Sequence, residues 1–302
     1  MRKVLAESLL QFSNKPEFVF MTGDLGFMTL ESLQMALGPR FINAGVAEQN
    51  MVSVSAGLAK AGMKPWIYSI APFIYARPFE QIRNDVCAHG LPVVLIGNGG
   101  GYAYGVMGST HHAIEDYGAL LCLPNMRIFI PAFNEDVTSI VNRLYDIQHP
   151  AYLRLGKCEK PQNFELPRYS PWRRLITGNG PTMIVIGPLV GGLIEPLSAL
   201  DEYKRPNLWV VTELPLDVDT MPDSLLENLK KSNHLIVAEE HVQHGGLGEM
   251  LGYLLLTKQL FHGKTTHLSA LGYISGLYGS QNFHRRESSL DPQSITTLLE
   301  ES

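Results

Sequence analysis

The residues best able to do chemistry fall in a few short stretches. Phe41-Ile-Asn-Ala-Gly-Val-Ala-Glu-Gln-Asn50 closes a strand-like run, Arg40–Asn43, and opens an apolar helix, Ala47–Gly62, with Glu48 in its first turn. A carboxylate there can complement the helix dipole or cap the chain. Held dry at a domain surface, it can instead exchange a proton with whatever docks on that surface. Gly108-Ser-Thr-His-His112 ends a glycine-rich loop with two histidines, His111 and His112; on its own this reads as solvated surface. Arg154 lies on a strand, Ala151–Leu155, and an arginine at a sheet's carboxyl end is well placed for an anion. Asp24, in the turn Gly23-Asp-Leu-Gly26, either caps that turn or orients a bound group. The loop Gly97–Gly105 is rich in glycine but lacks the spacing and acidic partner of a dinucleotide fingerprint.

Positioning these side chains requires a regular frame, and the apolar pattern supplies one. Strands are expected at Phe18–Met21, Lys64–Ile70, Pro92–Ile96 and Arg127–Ile130, alternating with helices at Leu30–Leu37, Phe79–His89, Ala113–Leu121 and Glu135–Asp146. Near-continuous apolar strands separated by helices predict a parallel sheet covered on both faces. Lys157–Pro171 is polar with three prolines and reads as a linker. A second α/β pattern follows, with strands at Thr182–Ile186, Leu208–Val211, His234–Ala238 and Thr265–Leu268. Its helices are expected near Leu193–Tyr203, Ser224–Lys231, Gly246–Leu256 and Pro292–Glu300. The expectation is an α/β chain of two doubly wound domains, 1–165 and 166–302, each with a mostly parallel sheet.

Composition narrows the function classes. The 302 residues are 45% hydrophobic, enough for two cores. The net charge of −5 contains no long run of one sign, so nothing points to nucleic acid or an anionic membrane. Cys87, Cys122 and Cys158 have no metal-like spacing and read as free thiols in a reducing compartment. The start, Met1–Glu7, reads as an amphipathic helix and not as a signal peptide, and no apolar run is long enough to span a bilayer. A cytoplasmic location is the expectation.

Several segments together resemble the thiamine-diphosphate enzymes related to transketolase. Gly45-Val-Ala-Glu48-Gln resembles their Gly-Val-x-Glu motif, and Met51–Gly62 the small-residue helix that follows it. Phe73-Ile-Tyr-Ala-Arg-Pro-Phe-Glu-Gln-Ile-Arg83 resembles their aromatic-led helix, Gly108–His112 their Gly-x-Thr-His-Gln turn, Leu123–Met126 with Ile130-Pro131 their Ile-Pro-Asn-Met segment. Ala238-Glu-Glu-His followed by Gly245-Gly-Leu-Gly248 resembles the start of their C-terminal helix. The resemblance implies that Glu48 hydrogen-bonds N1′ of the aminopyrimidine, favouring the imino tautomer that deprotonates the thiazolium, and that burial under the cofactor raises its pKa. It also implies that Phe73 stacks on the pyrimidine and Asp24 orients it. His111 then faces the reacting carbon, His112 adds a second donor, and Arg154 takes the substrate's phosphate.

One part of that family's equipment is missing. The diphosphate and Mg²⁺ are held there by Gly-Asp-Gly and a later Asn, and no Gly-Asp-Gly occurs in this chain. The resemblance therefore implies a split enzyme. A large subunit would supply the metal site, and this chain would self-pair within an assembly of two large and two small chains. Counting back from His111, the phosphate-binding His of transketolase falls on Gly99 and its hydroxyl-reading Asp on Met107; the Ser after the Asp-Leu turn is not evident at Phe27 or Met28. The first expectation is the small subunit of a transketolase-like enzyme moving a two-carbon ketol unit between a ketose and an aldehyde. Alternatives are the β subunit of a 2-oxoacid dehydrogenase E1 or another decarboxylating carboligase acting on a 2-oxo acid, and a non-catalytic assembly subunit.

Overall fold

The computed structural model describes residues 1–301. Twelve strands form two sheets: β1 (Phe18–Thr22), β2 (Phe41–Asn43), β3 (Lys64–Ile70), β4 (Val94–Asn98), β5 (Arg127–Phe129), β6 (Ala151–Leu155), β7 (Trp172–Ile176), β8 (Thr182–Ile186), β9 (Asn207–Val211), β10 (Glu213–Leu214), β11 (His234–Ala238) and β12 (Lys264–Leu268). The first sheet runs β10-β5-β6-β4-β3-β1-β2 and the second β12-β11-β8-β9-β7. All neighbours are parallel except the edge pairs β10–β5 and β7–β9. The mostly parallel α/β architecture read from the sequence is present in both sheets.

Strand parity decides which side chain faces which layer. Phe18, Phe20, Trp66, Tyr68, Val94, Ile96, Leu153 and Leu155 point to one face, under the helices Arg2–Leu9, Glu31–Leu37 and Asn134–Tyr145. The alternate residues Val19, Met21, Ile67, Leu95 and Tyr152 point the other way. They share one apolar cluster with Ile184, Trp209 and Val237 of the second sheet. A one-residue slip of β1 would exchange Phe18 and Phe20 for Val19 and Met21 across the sheet. Each such side chain is worth roughly 1.5–3 kcal/mol when buried, so the register is firmly set.

Among the elements that escaped the sequence pattern, three have a clear physical reason. β7 carries Arg173, which is 4% exposed and paired to Asp136 at 2.6 Å, so a buried cation interrupts the apolar run. β10 has two residues, too few for any period, and it adds an edge from beyond residue 165 to the first sheet. The helix Gln281–Glu287 buries Gln281, His284 and Arg285, a polar face that leaves no apolar stripe. The helix expected over Leu193–Tyr203 is instead a 3₁₀ segment, Gly187–Leu193, followed by the short helix Ile194–Ser198, which contains Pro196. Residues 157–171 carry no helix or strand.

Candidate active site

Glu48 opens the helix Glu48–Lys60, whose buried residues are Glu48, Met51, Val52, Ser55, Ala56 and Ala59. That spacing is one helical face, so the acid heads the stripe that packs on the sheet and is only 4% exposed. The turn before it is fixed by Asn43: its Oδ1 accepts from the Gly45 N–H at 3.0 Å and the Asp24 N–H at 3.1 Å. Its Nδ2 donates to Asp24 Oδ1 at 2.9 Å. Asp24 thus ties the ends of β1 and β2 together, is itself exposed, and reaches Glu48 only through the turn.

Three neighbours define the ground around Glu48. The Ser69 hydroxyl, at the carboxyl end of β3, donates to Oε1 at 3.3 Å. Nη1 of Arg77 donates to both oxygens, at 3.1 Å each. Gly23 lies under both groups: a Cβ there would meet Glu48 Oε1 and Ser69 Oγ at 3.5 Å each, ordinary van der Waals contact. Phe73, on the short helix Ala71–Tyr75 that follows β3, stands half-buried beside Arg77. A donor, an acid and an aromatic face are the groups an aminopyrimidine would need, an acid for its edge and an aromatic for its face.

His111 reaches the same surface from the other side. The Gly97–Thr110 stretch is closed by a bridge in which Gly101 and Ala113 exchange both backbone hydrogen bonds, at 2.8 and 3.0 Å. Gly101 has φ +63°, and a Cβ there would lie 2.7 Å from Glu240 Oε1, so only glycine lets the loop lie this close. His111 packs 5.2 Å from Phe73 and 5.6 Å from Tyr104, centroid to centroid. Its Nδ1 meets Thr110 Oγ1 at 2.9 Å, which leaves Nε2 without a partner among the described residues.

His112 and Arg154 do not join this constellation, and both expectations are corrected. His112 is 2% exposed; one ring nitrogen, Nε2, contacts the Gly105 carbonyl at 2.8 Å and the other, Nδ1, the Tyr273 hydroxyl at 3.0 Å. The carbonyl can only accept, so Nε2 carries the proton and Nδ1 accepts from Tyr273. Burial pushes the His112 pKa down to about 4. It is a neutral wedge between the loop and the C-terminal half, with no donor left for substrate. Arg154 shares the strand parity of Tyr152 and so points into the junction between the sheets. It is 4% exposed, pairs Nε with Asp116 at 2.9 Å, and donates Nη2 to the carbonyls of Ala113 and Glu240. Glu240 in turn receives the Tyr102 N–H, Gln281 and Arg285. Burial alone would raise its pKa, but Arg285 and these donors outweigh it and hold the acid below its usual range.

The exposed cation at this strand end is Lys157, three residues on and within the expected linker. It lines a cavity of about 800 Å³ at the carboxyl ends of β4 and β6, together with Arg2, Lys3, Asn98 and Tyr104; Glu7 is the one acid among the lining residues. Tyr104 is the shared wall: its hydroxyl accepts from Asn98 Nδ2 at 2.7 Å while its ring meets His111. Open α/β sheets bind ligands at this edge, and the volume suits a small molecule. Arg77 and Lys157 went unassigned from sequence because each lies in a segment whose pattern marks the segment and not the residue. No cluster of three or more His, Cys, Asp or Glu able to hold a metal is found among the described residues.

Comparisons with known proteins identify the family of the chain. The family profile of the transketolase pyrimidine-binding domain matches residues 1–162. The chain is 30% identical over 258 residues to a subunit of the apulose-4-phosphate transketolase of Phocaeicola vulgatus, spanning 83% of this chain and 81% of that one. It is 28% identical over 281 residues to the 1-deoxy-D-xylulose-5-phosphate synthase of Myxococcus xanthus, spanning 88% of this chain and 45% of that longer one. A solved split-gene transketolase, described as an inactive β4 tetramer, superposes with a TM-score of 0.81 at 26% identity over 99% of this chain and 96% of that one. The chain belongs to the thiamine-diphosphate-dependent transketolase family, as a small-subunit type built on the pyrimidine-binding domain.

Proposed function

We propose that this chain is the small subunit of a two-chain transketolase-like enzyme that moves a two-carbon ketol unit from a ketose to an aldehyde. The observation that carries the reading is the convergence of Glu48, Phe73 and His111 on one carboxyl edge, with Glu48 buried and His111 presenting a free Nε2. Bound thiamine diphosphate supplies the carbon nucleophile and the sink for the electron pair of C–C cleavage. Glu48 anchors the pyrimidine edge and holds or shares its proton. Phe73 supports the ring face, and His111 donates to the oxygen that gains charge. The cavity lined by Arg2, Lys3 and Lys157 takes the anionic end of a phosphorylated sugar, in keeping with the phosphorylated substrate named for the Phocaeicola relative.

The diphosphate and Mg²⁺ are assigned to a larger partner chain. Support comes from the missing Gly-Asp-Gly and from apolar side chains left in water around the site, Phe27, Met28, Val46, Val106 and Met107. The β4 assembly of the split-gene relative supports self-pairing of the small chain. The test is reconstitution with a chain carrying Gly-Asp-Gly and its later Asn, followed by a ketol-transfer assay. Ketol transfer by this chain without any partner would contradict the split architecture.

A further inference from the structure

Arg77 lies where a planar ring would have to sit. Its guanidinium carbon is 3.7 Å from the centroid of the Phe73 ring, and Nη1 donates to both oxygens of Glu48 at 3.1 Å. A guanidinium is flat and delocalised, stacks on aromatic faces and carries N–H donors at its rim. A face on Phe73 and an edge on Glu48 are the two contacts assigned above to the aminopyrimidine. We propose that Arg77 is a placeholder for the cofactor's pyrimidine, occupying its position until the cofactor is seated and swinging out when it binds. The inference rests on the reading of Glu48 and Phe73 given under the proposed function.

The burial pattern suits such an exchange. The Glu48 side chain is 4% exposed, and without Arg77 only the Ser69 hydroxyl at 3.3 Å would reach it. A buried carboxylate stripped of its partner is destabilising. Arg77 is 43% exposed and sits beside exposed Ala76, so it can leave toward solvent with no rearrangement of the core. Two effects follow. The pair stabilises the free chain, and it competes with the cofactor, lowering apparent affinity by the fraction of time the seat is closed. A purely structural ion pair would give the first effect without the second.

The test uses wild type, Arg77→Met, Arg77→Lys and Glu48→Gln, each reconstituted with the diphosphate-binding partner and titrated calorimetrically with thiamine diphosphate and Mg²⁺. Melting of each free chain is measured in parallel. Arg77→Met is expected to bind the cofactor about two- to fivefold more tightly, the range for a half-exposed ion pair, while its free chain melts lower. Arg77→Lys, which keeps the cation but loses the flat face, falls between. Affinity in Arg77→Met equal to or weaker than wild type overturns the placeholder, whatever the melting shows. Glu48→Gln reports separately through turnover: full turnover there overturns the reading of Glu48 and the placeholder with it. Lost turnover there with no gain in Arg77→Met overturns the placeholder alone.

Discussion

His111 stands edge-on to Phe73, with ring centroids 5.2 Å apart and planes at 63°. The two side chains arrive from different crossings of the sheet and offer different chemistry to one point, an aromatic face and a polar ring edge. Their removal should therefore separate binding from turnover. Phe73→Ala should weaken thiamine diphosphate binding by about three- to tenfold, the worth of one stacking contact. His111→Ala should lower kcat by about 10²- to 10⁴-fold with cofactor affinity close to wild type. Calorimetry and steady-state rates on the reconstituted enzyme check both; a large loss of cofactor affinity in His111→Ala would contradict the division.

Arg154 and Lys157 are near in sequence and opposite in role. Arg154→Met leaves Asp116, which is fully buried, with the Tyr152 hydroxyl as its remaining side-chain donor. It should cost about 3–5 kcal/mol in urea unfolding. Lys157→Ala removes an exposed cation paired with Glu159 at 3.6 Å. It should leave stability within about 0.5 kcal/mol and raise KM for a phosphorylated substrate. A KM unchanged in Lys157→Ala would place the anion elsewhere.

The buried His112 sets a pH dependence with a definite sign. Its ordinary pKa is 6.5 and burial lowers it to about 4 in the folded chain. Between these values the unfolded chain binds a proton that the folded chain refuses, so stability falls as pH drops from about 6.5 to about 4. His284, which packs edge-on against His112 at 4.9 Å, is lowered in the same direction by burial. Urea midpoints measured across this window should decline, and His112→Asn should flatten the decline. A wild-type midpoint constant from pH 6.5 to pH 4 would contradict the neutral wedge.

How much could be read in advance depended on whether a residue's surroundings are local in sequence. The position of Glu48 at the head of a buried helix face was legible because that face and its turn lie within a few residues of it. The parallel strands were legible because both faces are apolar. Arg154 was misplaced because the parity that turns it inward matters only once the second sheet is packed there. His112 was misread for the same reason: Tyr273 and His284, which enclose it, come from the far end of the chain. β7 and the helix Gln281–Glu287 are held by buried ions, Arg173 with Asp136 and Arg285 with Glu240, and apolar periodicity is blind to such pairs.

Under the proposed function, Glu48 activates a cofactor whose charged end is held by another chain. The most direct measurement is turnover of the reconstituted enzyme carrying Glu48→Gln, which keeps the size of the side chain and removes its charge. The account predicts a loss of about 10²-fold or more in kcat, with the assembly intact by size exclusion. Wild-type turnover in that variant would contradict it.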